Sequence, residues 1–285
     1  MEYLNENKNL ERLVSKSTPH CSNLFEKTKI KELSGEKKLF LYQAIKIHTK
    51  FLKEFIFLPD SKQSYIDYIN NIDSYINYLR INNRNFFSHQ SDLVSSVLPE
   101  MFCQIFYKKI RTLDLTNIYV SGQEDLKIDF QITSDSNKPL SFKSKRVDVC
   151  VYKKAEMIFN GEKQDIIIPL VSIENKVNLD KNMLYGIINT SSSIKNIFPG
   201  SKYFVYTEFS DLTLDKHNYG YSDIDEVFTL RKQNRGSFRR TKKANPIDSS
   251  LIINSLNSFE ETFSSNSKSN ISIEQRVQKF GKLIF

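Results

Sequence analysis

The chain has 285 residues, of which 39% are hydrophobic and 26% are charged, and its mean hydropathy is -0.44. Such values are typical of a large globular domain and exclude a disordered or fibrous protein. No apolar run approaches the roughly 20 residues that cross a bilayer, and the acidic, polar N-terminus lacks a signal-peptide pattern. We therefore expect a cytoplasmic protein that does not enter a membrane.

The formal net charge of +8 favours a polyanionic partner. Cys21, Cys103 and Cys150 are widely spaced and odd in number, which predicts reduced, mostly buried thiols rather than disulfides or a zinc site. The eight glycines form no phosphate-binding loop and no dinucleotide fingerprint, so no nucleotide cofactor is expected. The histidines lack metal-ligand spacing; they are His20, His48, His89 and His217.

Helical periodicity dominates residues 1–89. Ser34 can cap a helix over about 36–57, and a second helix is predicted over about 61–79. The second helix carries a tyrosine-rich apolar stripe, which we interpret as a packing face rather than a base-stacking surface. A polar break over 82–89 follows, so residues 1–89 are predicted to form a helical N-terminal subdomain.

A third helical stretch is predicted over about 91–111, and it contains Pro99. Proline is tolerated in a first helical turn but kinks a helix interior, so this element should kink or restart near Leu98. From Leu126 onward the apolar period changes to two, which is typical of strands. Strands are predicted over 126–132, 145–152, 166–176, 202–209 and 226–230.

Two more helices are predicted among and after these strands. Asp180 can cap a helix over 181–195, and the pair Asn245-Pro246 is suited to open another. A serine- and asparagine-rich break over 264–270 should precede a short terminal helix. A helix, a three-strand meander, a crossover helix and a fourth strand make an α/β layered core, which we assign to residues 90–285.

Charged side chains end two of the predicted strands. Asp148 interrupts a run of valines at 147, 149 and 151, which alternation places on the opposite face. Glu174 and Lys176 are two residues apart and should project from one face of the next strand. Oxygen ligands suit Mg²⁺, which can activate water and stabilise charge on a phosphodiester. These three residues are therefore candidates for a metal-dependent phosphodiesterase centre.

The pattern Val147-Asp148-Val149, followed by the stretch 171–176, resembles the PD-(D/E)XK nuclease signature. The segments 173–183, 91–102, 225–233 and 245–248 are similar to certain type II restriction endonucleases, nearest to the two-subunit group that cuts CCTNAGC-like interrupted sites. This sequence has Arg146-Val147 where the signature has proline before the first acid. The resemblance implies a central mixed sheet flanked by helices and Mg²⁺-dependent, site-specific hydrolysis of double-stranded DNA by metal-activated water.

The resemblance also implies individual roles. Asp148 and Glu174 match the metal-binding acids, and Lys176 matches the motif lysine. The carbonyl of Ile173 would offer a further metal ligand, and Glu100 matches an acid on the upstream helix that extends the metal site. The active form would be a homodimer or a pair with a similar second subunit, because one such core supplies one cleavage centre.

A basic segment over 231–243 contains seven Lys or Arg residues among thirteen and no acid. Mixed amide and guanidinium groups suit contacts with base edges and phosphates. We expect the first part of the segment to read bases and the second part, as a flexible loop, to follow phosphates. The candidate base readers are Arg231, Gln233, Asn234 and Arg235, and the candidate phosphate contacts are Arg239, Arg240, Lys242 and Lys243.

Two other functions fit the same residues. The first is a repair or transposon-end nuclease of the same fold, because fold alone does not separate such enzymes. The second is a basic nucleic-acid-binding protein without catalysis. Digestion of a plasmid in Mg²⁺ distinguishes them, since discrete bands indicate restriction, smearing indicates the other nucleases, and intact plasmid indicates a binder.

Overall fold

The computed structural model describes residues 10–31, 33–88, 92–132, 140–159, 161–212 and 220–267. The chain forms two compact units, Met1–Ser249 and Ser250–Phe285. The predicted boundary between residues 89 and 90 falls inside the first unit and stays a prediction. His89, His217 and the predicted terminal helix lie outside the described residues. In the described parts of the chain, every helix is too short or too polar to cross a membrane.

The helices described before the sheet include α1 (Pro19–Thr28), α2 (Gly35–Phe57), α3 (Lys62–Asn82) and α4 (Val97–Thr112). The hydroxyl of Ser34 accepts a hydrogen bond from the Lys37 amide and caps α2, as predicted. Pro99 lies in the first turn of α4, so the third helical stretch restarts at Val97 rather than kinking. Helix α1 is an element that the apolar periodicity did not indicate.

Five strands form one mixed sheet in the order β1-β2-β3-β4-β5. They are β1 (Tyr119–Ile132), β2 (Leu140–Phe159), β3 (Glu162–Leu179), β4 (Lys202–Ser210) and β5 (Glu226–Thr229). The first three strands pair antiparallel, and β4 and β5 continue the sheet in parallel. Helix α5 (Lys181–Ile197) makes the crossover from β3 to β4, and Asp180 caps it. The predicted α/β core with a mixed sheet is confirmed.

Helices cover both faces of the sheet. Leu184, Ile187 and Ile194 of α5 pack in one buried cluster with Cys150 of β2 and Val205 of β4. On α4, the ring of Phe102 lies 4.2 Å from that of Tyr206 on β4. The tyrosine stripe of α3 is also buried, which confirms its interpretation as a packing face: Tyr65, Tyr68 and Tyr75. All three cysteines are free and buried, as expected.

The C-terminal elements differ from the prediction. Helix α6 (Arg235–Thr241) occupies part of the basic segment, and α7 (Ser249–Ser267) follows it. Pro246 does not open a helix, because the next residues pack as an irregular segment in which the Asp248 amide donates to the Leu230 carbonyl at 2.8 Å. The break predicted from residue 264 is also wrong, since α7 continues to Ser267.

Candidate active site

The site is built where β2 and β3 separate. The described pairs between these strands end at Val149 and Ile173. One residue beyond that pair, the Asp148 carboxylate accepts a hydrogen bond from the backbone amide of Asn175 at 2.7 Å. This hydrogen bond to a side chain takes the place of a backbone hydrogen bond between the two strands, and it fixes the Asp148 carboxylate against β3. Strict alternation along β2 would place Val147 and Cys150 on opposite faces of the sheet. Both residues belong to the same buried cluster, so the strand is irregular at Asp148, which lies between them.

Glu174 and Lys176 project together from β3, as their two-residue spacing predicts. The Lys176 ammonium donates to the Glu174 carboxylate with 2.5 Å between Nζ and Oε1. The side chains are 15% exposed for Glu174 and 31% exposed for Lys176. Both are therefore largely withdrawn from solvent but still accessible to a ligand.

The acids of this site repel one another. Burial, and then the charge of Glu174, raise the pKa of Asp148 from 3.8 to about 6, although the Asn175 amide and Lys176 oppose this rise. Burial alone would lower the pKa of Lys176, but the carboxylates of Glu174 and Asp148 outweigh it and hold the pKa above its ordinary value. At neutral pH two carboxylates thus face one ammonium, an arrangement that favours an additional cation.

Tyr203 of β4 is a neighbour that sequence reasoning missed. Burial, followed by the charges of Glu174 and Asp148, raises its pKa well above the ordinary value. Its hydroxyl faces Glu174 but, within the described residues, makes no hydrogen bond of standard length and angle. The parallel register pairs Tyr203 of β4 with Ser172 of β3, two residues before Glu174. The proximity of Tyr203 to Glu174 therefore follows only once the crossover from β3 to β4 is known. Asp92, before α4, also acts electrostatically on Asp148.

Glu100 is not brought into this centre. It is fully buried among the N-terminal helices, where its Oε2 accepts the Cys21 amide at 2.8 Å. Its Oε1 lies 2.5 Å from His48 Nε2 and 3.4 Å from the Cys21 sulfur. The ligand atoms of Cys21, His48 and Glu100 lie within 4.8 Å of one another. Because both oxygens are engaged with α1 and α2, the structure does not support Glu100 as an extension of the Asp148 and Glu174 site.

Arg231 cannot read a base in this structure, and that expectation is wrong. Its side chain is fully buried. The guanidinium pairs with Asp73 of α3 at 2.7 Å and with Glu208 of β4 at 2.8 Å. It also donates to the Asn245 carbonyl at 2.5 Å. Arg231 therefore links α3, β4 and the segment before α7.

The two amides of the basic segment also have structural partners. Gln233 Oε1 accepts the Asn245 amide at 2.9 Å, and its Nε2 donates to the Lys243 carbonyl at 3.1 Å. The Asn234 side chain accepts the Ser237 amide at 2.7 Å and caps α6. These bonds hold the basic segment as a closed turn, so neither amide has the freedom that base reading requires.

The remaining cations of the segment are exposed. Arg235, Arg239 and Arg240 lie on α6 rather than in the flexible loop that we expected. Lys242 ends that helix in a left-handed conformation, with a φ of 56°, and Lys243 follows it. The cations predicted to contact phosphates are therefore presented largely on a helix.

An acid on one strand, followed by an acid and a lysine two residues apart on the next strand of a mixed sheet, is the arrangement of a PD-(D/E)XK nuclease. The fold agrees with that class. The chain is similar over 90% of its length to a solved structure described as the native BbvCI A2B2 tetramer, at a TM-score of 0.69 and 23% sequence identity. The match covers 98% of that chain.

The family model for the Bpu10I restriction endonuclease matches residues 90–246, more than half of the chain. The chain belongs to the Bpu10I restriction endonuclease family, and it is a site-specific type II restriction endonuclease that acts on DNA. The expected resemblance is thereby confirmed, and the two other functions that fit the same residues are not supported. No curated protein matches the chain.

Proposed function

We propose that Asp148, Glu174 and Lys176 form the catalytic centre and that a divalent cation, Mg²⁺ by its donor chemistry, binds beside them. The observation that carries the proposal is the pairing of two neighbouring acids with one lysine at the point where β2 and β3 separate. The candidate ligands are the carboxylates of Asp148 and Glu174 and the carbonyl of Ile173. All three are oxygen donors, which Mg²⁺ prefers, and one or two protein carboxylates are its usual complement.

The electrostatics of the site fit such an ion. Asp148 has a pKa of about 6 because it is buried near Glu174. A cation shared by both carboxylates would remove the repulsion that raises this pKa. Donors that included sulfur or imidazole would favour zinc instead, but this centre contains neither among its described side chains.

When bound there, Mg²⁺ polarises a phosphodiester and favours deprotonation of water. The chain's own residues supply orientation and charge. The Asn175 amide holds the Asp148 carboxylate in one direction. Lys176, whose pKa is raised, stays protonated and therefore acts as a donor rather than a base. Its ammonium can orient the attacking water and offset charge that develops on the phosphate during P–O cleavage.

The test is plasmid cleavage by Glu174→Ala and Asp148→Ala over a series of Mg²⁺ concentrations. We expect losses of about a thousandfold or more, because each variant removes a carboxylate that would hold the charge-stabilising cation. Glu156→Ala is the matched control, since this exposed β2 acid forms its ion pair with Lys163, away from the proposed centre. If either active-site variant cuts near the wild-type rate, or if EDTA leaves wild-type cleavage intact, the proposed centre is wrong.

We further propose that the working enzyme contains a second catalytic subunit. One PD-(D/E)XK centre cuts one strand, whereas a double-strand break requires two. The BbvCI structure is described as an A2B2 tetramer, which supports an unlike partner more than a second copy. Light scattering of the purified chain, combined with a plasmid assay that separates nicked from linear DNA, tests this. Nicking alone indicates an unlike partner, and double-strand cutting by a monomer contradicts the proposal.

A further inference from the structure

A groove of about 570 Å³ lies between the end of α3, the segment after it, and α6. We call it the arginine groove, and its lining includes Arg80, Arg84, Arg235, Arg239, Phe238 and Val177. Val177 directly follows Lys176 in β3. The groove thus reaches the strand that carries the proposed catalytic lysine.

One arginine of the groove is already neutralised. Arg80 pairs with Glu208 at 2.6 Å, while Arg231 behind it pairs with Glu208 and Asp73. Two cations and two anions balance in this network. The Arg80 guanidinium also lies 5.6 Å from the centre of the Phe238 ring, which fixes α6 against α3. These contacts build the groove wall and leave little charge for a ligand.

The other three arginines are not neutralised. Arg84, Arg235 and Arg239 are exposed, and none forms an ion pair with another described residue. No acidic side chain lines the described groove. Arg235 and Arg239 are four residues apart on α6, where like charges repel and slightly destabilise a helix. Three positive charges therefore line one groove. Asp211 accepts the backbone amide of Arg235 at 3.0 Å, but among the described residues no acid forms an ion pair with the guanidinium of Arg84, Arg235 or Arg239.

The segment opposite α6 is held in an unusual conformation. Arg84 and Asn85 have φ values of 41° and 64°, in the left-handed region that bulky residues rarely adopt. Asn83 stabilises the turn, since its side chain donates to the Phe87 carbonyl and accepts the Phe87 amide. The turn therefore holds Arg84 in the lining that it shares with Arg235 and Arg239.

We propose that the arginine groove binds the sugar–phosphate backbone of the substrate DNA. Arg84, Arg235 and Arg239 would contact phosphates, because exposed guanidinium groups pair with phosphate oxygens and need no particular base. This inference rests on the proposed catalytic centre and specifies how its substrate is held. It also changes the role predicted for Arg235, from base reading to phosphate binding.

The experiment measures binding of a short fluorescent duplex of random sequence by fluorescence anisotropy, in EDTA and at several salt concentrations. Arg84→Ala, Arg235→Ala and Arg239→Ala should each weaken binding several-fold and shallow the salt slope by about one. Arg239→Lys should restore the slope. Arg111→Ala is the matched control, because it removes the same charge from an exposed position of α4 outside the groove lining.

Several outcomes overturn the proposal. One is equal loss for Arg111→Ala and Arg239→Ala, which would make the effect one of net charge alone rather than of the groove. Another is an unchanged salt slope for Arg235→Ala with relaxed cleavage specificity, which would make Arg235 a base reader. Thermal denaturation verifies that each variant is folded. Binding in EDTA is independent of catalysis, so normal binding by groove variants refutes the groove alone, and normal cleavage by Glu174→Ala refutes the catalytic centre alone.

Discussion

Among the acidic side chains that are withdrawn from solvent, Glu100 and the pair Asp148 and Glu174 differ in how well their partners satisfy them. In the N-terminal helices, Glu100 is fully buried but receives hydrogen bonds from the Cys21 amide and from His48. Where β2 and β3 separate, Asp148 and Glu174 are more accessible but repel each other. Lys176 compensates only one of the two charges.

The difference indicates what each group does. A buried charge with a full set of partners holds elements together, and it has no capacity left for a ligand. A pair of acids with a single counter-ion carries an unfavourable interaction that a bound cation can relieve. Accessibility and incomplete compensation, rather than burial or acidity alone, therefore separate the candidate active site from the structural cluster. Three predictions test this contrast.

The largest expected effect is on the structural cluster. Glu100→Ala should lower the free energy of unfolding by about 3–5 kcal/mol, because it removes one partner of a buried pair and leaves His48 and the Cys21 amide unsatisfied. Urea denaturation measures the change, and Glu54→Ala on exposed α2 is the control. Cleavage per folded molecule should be retained. Unchanged stability with lost cleavage would instead return Glu100 to the metal site.

The same contrast explains what could be predicted from sequence. Period-two spacing alone places Glu174 and Lys176 on one face, and the order of strands brings Asp148 beside them, so the core of the site follows from local geometry. Glu100 could not be assigned in this way. Its partners lie on α1 and α2, far away in sequence, and an acid in the first turn of a helix has the same local pattern whether it binds a metal or packs a core.

Arg231 shows the same limit in the basic segment. A run of cations without acids indicates a solvated or DNA-binding surface, and nothing in residues 231–243 shows that Asp73 and Glu208 neutralise one member. Helix α6 was missed because Phe238 is the only large apolar residue of the run, so no amphipathic periodicity exists. Its cap, Asn234, was interpreted as a base reader for the same reason. The ion pairs with Asp73 and Glu208 decide the role of Arg231, whereas the local cap of α6 decides that of Asn234.

The second prediction concerns the repulsion at the active site. Asp148→Asn should stabilise the metal-free protein above pH 6 by up to about 3 kcal/mol, the value that corresponds to a pKa near 6 instead of 3.8. A folded-state pKa above the unfolded value means that the ionised carboxylate destabilises the fold. The gain should therefore be absent below pH 3.8 and grow through the interval up to about 6.

Thermal denaturation in EDTA at pH values on both sides of that interval measures this effect. The asparagine side chain keeps an oxygen that can accept the Asn175 amide, so the variant removes the charge without removing the bond. Its cleavage activity should be lost. A variant that is less stable than the wild type above pH 6 would show that Asp148 is satisfied in the fold, contrary to the contrast drawn with Glu100.

The smallest expected change in stability is at Lys176. Lys176→Ala should alter the free energy of unfolding by less than about 1 kcal/mol, since partly exposed ion pairs contribute little. Cleavage should nevertheless fall by about a hundredfold or more, because the lost ammonium faces the phosphate only during reaction. Binding of random duplex in EDTA should stay close to that of the wild type, as the arginine groove is intact.

Lys163→Ala is the matched control for this variant. Lys163 also pairs with a strand glutamate, with 3.0 Å between its Nζ and Glu156 Oε1, but it lies on the exposed end of the β2 and β3 hairpin. The two substitutions thus remove similar ion pairs from the same strand and should differ only in cleavage.

Loss of Lys176 should also move the Asp148 pKa further upward, because Lys176 opposes its rise. When Asp148→Asn is made in the Lys176→Ala variant, the stabilisation that it brings should therefore grow over an interval that extends to higher pH than in the wild type. An unchanged interval would mean that Lys176 and Asp148 do not interact, and the two acids and the lysine would then not form a single centre.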